Sequence, residues 1–254
     1  MSRTTTSHAP SPASAGPRRP RTTPRAPPSS TPRGGPSRLR APADLTMRVS
    51  PSLAPFPGSP PVHVIPWASH GPDGYALELV AMSTHTGTHV DAPLHFDPGG
   101  ASVDAIPASA LVGSARVLRA PKNRGEDVTA AELESLEALS GRLERGSRVL
   151  VETRWSSRAA RAGARYYDGS PGLEPAAARL LARRGVAMVG IDSPSVDPGG
   201  SEAFLAHRAL ARAGIAAVEN LRNLRAVRGD GATVAVLPIP LVGASGAPAR
   251  AVAL

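Results

Sequence analysis

The sequence predicts a single α/β domain over residues 44–254, preceded by a polar arm over residues 1–43. Strand-type and helix-type apolar patterns alternate from about Ala115 onward, helical stretches carry their own start and stop residues, and no segment repeats. The chain is long enough to bury a sizeable core.

Taken in order, Leu77-Glu-Leu-Val-Ala-Met-Ser83 alternates and reads as a strand. Ala115–Leu118 is the next. Thr129-Ala-Ala-Glu132 is a capping box that opens a helix to about Leu139. Arg148–Thr153 is a strand. Glu174–Arg184 is a helix with Pro175 at its start and Gly185 as its stop. Val186–Ile191 is a short buried strand ending at Asp192. Ser201–Arg212 suits a helix with Ser201 as N-cap, Gly214 as stop and His207 in its middle. Ile215–Val218 is an apolar strand with Glu219 at its end, a usual place for active-site groups in α/β proteins. Thr233–Leu237 is a late strand. Asp197-Pro-Gly-Gly200 reads as a turn, and Arg179, Arg183 and Arg184 as a solvated helix face. His63, Trp67 and His70 fall in a Pro- and Gly-rich loop.

The arm is almost all Pro, Arg, Ser, Thr, Ala and Gly, without helix or strand period, and is expected to be disordered. Seven of the nine net positive charges lie before Met47, so the domain is near neutral and the high pI says little about a site. The arm has no aromatic residue to stack on bases, which argues against a nucleic-acid partner. It also lacks the apolar face of a transit peptide. The favoured reading is an extension without a function of its own. No apolar run is long enough to span a bilayer and no secretory pattern appears. Together with the absence of cysteine, this leads us to expect a cytoplasmic protein.

The densest chemistry is Ser83-Thr-His-Thr-Gly-Thr-His-Val-Asp-Ala-Pro-Leu-His-Phe96. Three of the chain's seven histidines, His85, His89 and His95, stand there beside Asp91. Imidazole nitrogen and carboxylate oxygen form the ligand set of a zinc- or manganese-type divalent ion. Gly87, the threonines, Val90 and Pro93 oppose a helix, so His85 and His89 lie on a tight loop that Gly87 lets approach an ion closely. In an extended stretch His89 and Asp91 share one side.

The same run resembles the signature of the cyclase-like metal-dependent hydrolases, the family that includes bacterial kynurenine formamidase. Asp44-Leu-Thr46 resembles that family's opening strand, Pro55-Phe-Pro-Gly58 its substrate-side loop, and Gly190–Pro198 and His207…Glu219-Asn-Leu221 its later blocks. The resemblance implies a mixed sheet curled into a barrel-like core with helices outside. It places metal ligands at His85, His89, Asp91, His207 and Glu219, with Asp91 and Glu219 able to bridge two ions. It makes His95 the proton donor and acceptor and Phe56 a substrate contact. Phe56 stands where kynurenine formamidases usually carry Trp. The implied activity is hydrolysis of a small amide, most simply an aryl formamide such as N-formylkynurenine, by water that the metal activates at neutral pH. A cyclic amide, a lactone or a ring-forming reaction at the same site is the alternative. Outside that class, the chain would be a basic-tailed binding protein with a vestigial site. The resemblance further implies a homodimer or homotetramer.

Overall fold

The computed structural model describes residues 41–159, 163–228 and 231–254. The polar arm lies outside the described residues apart from its last few positions. Among the described residues ten strands are formed: β1 (Ala43–Asp44), β2 (His63–Ala68), β3 (Leu77–Ala81), β4 (His89–Asp91), β5 (Val112–Arg119), β6 (Arg148–Glu152), β7 (Met188–Ile191), β8 (Ala216–Glu219), β9 (Ala232–Pro238) and β10 (Gly246–Ala253).

Seven strands run in the order β10-β4-β8-β7-β6-β5-β9, and β9 pairs back onto β10, which closes a mixed barrel. β5 to β8 are mutually parallel, and β4, β9 and β10 make the antiparallel pairs. Parallel neighbours need long crossovers. The helices Ala130–Ser140, Pro175–Arg184 and Leu205–Arg212 lie in those connections and cover the outside. The resemblance-based expectation of a curled mixed sheet with outer helices therefore holds. β1 adds to the outer edge of β10 and is shorter than Asp44–Thr46 suggested.

The central strands are buried on both faces, which is why they read as continuous apolar runs. Along β6, Val149 and Val151 pack outward against the helices with Leu180 and Leu181, while Leu150 points into the barrel with Met188 and Val218. The helix Pro175–Arg184 buries Ala177, Ala178, Leu180 and Leu181 and ends at Gly185, as its sequence predicts. Thr129 caps its helix by accepting the Glu132 N–H at 3.1 Å.

Several expectations need correction. The segment around Trp67 is not a loop but β2, which pairs antiparallel with β3 as a separate hairpin. β3 forms where the alternation places a strand and is exposed along its whole length. β10 was not foreseen, because Gly-Ala-Pro-Ala-Arg-Ala-Val-Ala has little strand propensity; its place between β4 and β9 makes it a strand. Ser201 does not cap the His207 helix, which begins at Leu205 after Phe204 in the left-handed region. Arg184 is not simply solvated: its guanidinium pairs with Glu137.

Candidate metal centre

β4 carries His89 and Asp91 on one face, and its register sets His89 opposite Glu219 at the end of β8. His85 reaches the same place from the turn before β4, where Gly87 has φ +64°. His207 enters from the helix Leu205–Arg212. The result is one compact cluster. His85 Nδ1 lies 2.6 Å and His89 Nε2 3.1 Å from Asp91 Oδ1. His207 Nε2 lies 3.1 Å from Asp91 Oδ2 and 3.0 Å from Glu219 Oε1. His89 Nε2 is 3.4 Å from Glu219 Oε2. The donors form two sets, His85-His89-Asp91 and Asp91-His207-Glu219, that share Asp91.

His89, Asp91, His207 and Glu219 are all buried. Burial alone would push the two carboxyls up. His89, His207 and His85 overcome it at Asp91, which is held well below the carboxylate range. At Glu219, burial and the Asp91 charge are outweighed by His207 and His89, and the carboxyl is again lowered. Burial would lower the imidazoles, but Asp91 and Glu219 raise His89 to about 10. His207 is raised well above its ordinary value despite burial, first by its bond to Asp197. Two buried carboxylates thus demand positive charge in this space.

A divalent cation fits that demand and this donor chemistry. Each imidazole turns one nitrogen to the carboxylates and has the other partnered. Ser245 Oγ lies 3.1 Å from His85 Nε2, the Gly87 carbonyl 2.8 Å from His89 Nδ1, and Asp197 Oδ2 2.5 Å from His207 Nδ1. Such rear partners orient ligating imidazoles.

His95 sits beside the cluster on the 3₁₀ turn Pro93–His95, stacked on His85 with ring centroids 3.9 Å apart. Desolvation is the main cause that pushes its pKa down to about 4, against the opposing pull of Asp91, so the imidazole is neutral near pH 7. The cluster forms the floor of a cavity of about 330 Å³. Phe56, Tyr167, Phe96 and Phe204 supply aromatic walls, with Phe56 edge-on to Tyr167 at 5.4 Å.

All seven residues singled out in the sequence therefore converge on one site. Others were missed. Asp197, read as a turn residue, is buried and accepts the backbone N–H groups of Ala206 and His207 as well as the imidazole. The sequence hints were Val196 beside it, which marks the turn as buried, and its place in the Gly190–Pro198 block that resembles the family. Tyr167 lines the cavity, whereas Trp155 and Tyr166 pack with Met47 behind it. Asp192 accepts the Thr153 N–H and hydroxyl and so supports the strand ends.

The family described as "Putative cyclase" matches residues 43–198. A kynurenine formamidase of Geobacillus thermodenitrificans (strain NG80-2) is 39% identical over 175 residues, covering 68% of this chain and 77% of that protein. Among solved structures, isatin hydrolase A from Labrenzia aggregata, bound to benzyl benzoate, superimposes with a TM-score of 0.76 at 29% identity, over 84% of this chain and 92% of that one. A predicted metal-dependent hydrolase from Bacillus stearothermophilus gives 0.69 at 27% identity, over 84% and 97%. Among the described residues, no helix is long and apolar enough to cross a membrane. With its donor cluster and these relatives, the chain belongs to the cyclase family and is a metal-dependent hydrolase of the class that cleaves carbon–nitrogen bonds.

Proposed function

We propose that the substrate is an aryl formamide of the N-formylkynurenine type, and that His85, His89, Asp91, His207 and Glu219 hold one zinc or manganese ion, or two. The observation that carries this reading is the imidazole of His95 stacked on His85 beside the donor cluster, at the floor of an aromatic-walled cavity. When bound, a divalent ion supplies Lewis acidity that activates water and polarises the amide carbonyl. His95 accepts the proton of the attacking water and returns it to the leaving nitrogen. That return matters because an aniline-type nitrogen leaves poorly as an anion. Phe56 and Tyr167, edge-on to each other, offer aromatic surface to the aryl ring and exclude water.

Purified protein should hydrolyse N-formylkynurenine. Chelator should abolish turnover and added zinc or manganese restore it. His95→Ala should lose about 10²-fold or more in kcat with metal content unchanged. Full activity in that variant would refute the assigned role. A second reading is favoured by the likeness to isatin hydrolase: a cyclic aryl amide opened at the same site. Turnover of isatin, with none of the formamide, would select it.

The reading includes a homo-oligomer, a dimer or tetramer. The β2–β3 hairpin supports it: Val64, Ile65, Trp67, Tyr75, Leu77, Leu79 and Val80 are all exposed, and Trp67 is 71% exposed. An isolated hairpin is marginal in water, and an apolar patch of this extent marks an interface. Ile65 and Leu79 face each other across the hairpin. Changing both to Lys should turn the oligomer into monomers in sedimentation velocity. An unchanged sedimentation coefficient would remove the hairpin as the interface.

A further inference from the structure

We propose that Ser245 and Gly246, at the start of β10, are positioning residues that seat His85 for the cation. The inference rests on the reading that His85 is a metal ligand. His89 is fixed in β4 and His207 in a helix, but His85 stands on a turn and is only partly buried. Its ring therefore depends on its neighbours for orientation.

Besides His89, edge-on with ring centroids 5.2 Å apart, four contacts surround that ring. His95 stacks on it, and Asp91 meets Nδ1. Ser245 Oγ lies 3.1 Å from Nε2. The fourth neighbour is Gly246, where a Cβ would fall 2.6 Å from His85 Cε1 and 2.6 Å from the Val90 carbonyl oxygen. No side chain fits there without displacing the imidazole or the strand. The seat is also held in register with the ligands. Gly246 pairs with Asp91 across β10 and β4, and the Ala92 N–H donates to the Ser245 carbonyl at 2.9 Å. The hydroxyl and the carboxylate that flank the two nitrogens of His85 thus belong to one hydrogen-bonded ladder.

A serine hydroxyl both donates and accepts. It can donate to Nε2 while the Nδ1 proton is shared with Asp91. It can accept from Nε2–H once the Nδ1 lone pair is given to a cation. The same partner serves both forms of the ring, so His85 need not turn when the ion arrives. An alanine at 245 leaves Nε2 without a protein partner and the ring free to rotate about its side-chain bonds.

The test uses the full chain and two measurements that need no turnover. One is zinc affinity against a chromophoric chelator; the other is the visible spectrum of the cobalt-loaded protein. Ser245→Ala is expected to weaken zinc binding by about 10- to 100-fold and to change the cobalt spectrum, with circular dichroism unchanged. Ser245→Thr, which keeps the hydroxyl, is expected to restore both. Gly246→Ala should weaken zinc binding as well, but its Cβ also presses on the Val90 carbonyl of β4, so the decision rests on position 245. Wild-type affinity and a wild-type cobalt spectrum in Ser245→Ala would overturn the inference while leaving the metal reading intact. Wild-type protein that takes up no metal would overturn both.

Discussion

Asp197 gives the sharpest test of how the fold builds the centre. Its carboxylate accepts the Ala206 N–H at 2.8 Å, the His207 N–H at 3.1 Å and His207 Nδ1 at 2.5 Å. The helix it serves has eight residues and no other side-chain cap. Hydrogen bonds to a charged group contribute roughly 1.5–3 kcal/mol each, and a buried N–H left unpaired costs about as much as the bond was worth. The three bonds share one carboxylate and are not additive, so Asp197→Ala should destabilise the protein by about 3 kcal/mol. For a domain of this size that lowers Tm by roughly 6–12 °C. Asp197→Asn separates the two duties. Its amide oxygen can still accept from the backbone, so most of the stability should remain. Its amide nitrogen cannot accept from Nδ1–H, so His207 loses its orientation. We expect both variants to lose about 10- to 100-fold in zinc affinity, while only the alanine variant melts early. Thermal melts in chelator and zinc competition read the two quantities separately. Wild-type zinc affinity in Asp197→Asn would refute the orienting role, and a wild-type Tm in Asp197→Ala would refute the cap.

Two further outcomes follow from neighbouring contacts. A Cβ on Gly172 would lie 2.2 Å from the Asp197 carbonyl carbon and 2.2 Å from the Pro198 nitrogen, both backbone atoms. Gly172→Ala should therefore cost about 1–3 kcal/mol by overpacking and also weaken zinc binding, because Asp197 must shift; urea unfolding that matches wild type would contradict this. Glu137 is held below the ordinary carboxyl range by its bonds to Arg184, at 2.9 and 2.7 Å, and accepts the Leu143 N–H at 2.9 Å. A depressed folded pKa means this stabilisation is present above the unfolded carboxyl value and disappears as pH falls through the folded one. The stability gap between wild type and Glu137→Gln, about 1–3 kcal/mol at pH 7, should close as urea titrations move toward pH 3. A gap that does not change with pH would show that the ion pair is not its source.

What the sequence revealed depended on how local each signal was. The donors His85, His89 and Asp91 lie within seven residues, and Gly87 and Pro93 already excluded a helix between them. β6 and β7 announce themselves because both faces are apolar, and the helix Pro175–Arg184 carries both of its end signals. The missed features are set by distant partners. β10 is an Ala-, Gly- and Pro-containing stretch made into a strand by β4 and β9. β2 contains Pro66 and a register shift, which hid it among loop residues. Asp197 looked like a turn because its partner, His207, lies ten residues on at the start of a helix whose true cap it is. Joining His207 and Glu219 to the motif needed a family resemblance, since nothing in either local pattern distinguishes a ligand from a packed residue.

The unequal spacing of the donors has a thermodynamic consequence. An unfolded chain keeps His85, His89 and Asp91 close together, because they are neighbours along the backbone. His207, 116 positions after Asp91, and Glu219 join them only in the folded protein. A ligand stabilises a fold only by the difference between its affinities for the folded and unfolded chains. The short motif contributes to both sides of that difference, so with the proposed ligand set the folding linkage rests on His207 and Glu219. A saturating ion therefore raises the melting temperature by less than its native-state affinity alone would give. Removing His207 costs more of that increment than removing His85, even where the two losses of affinity are equal.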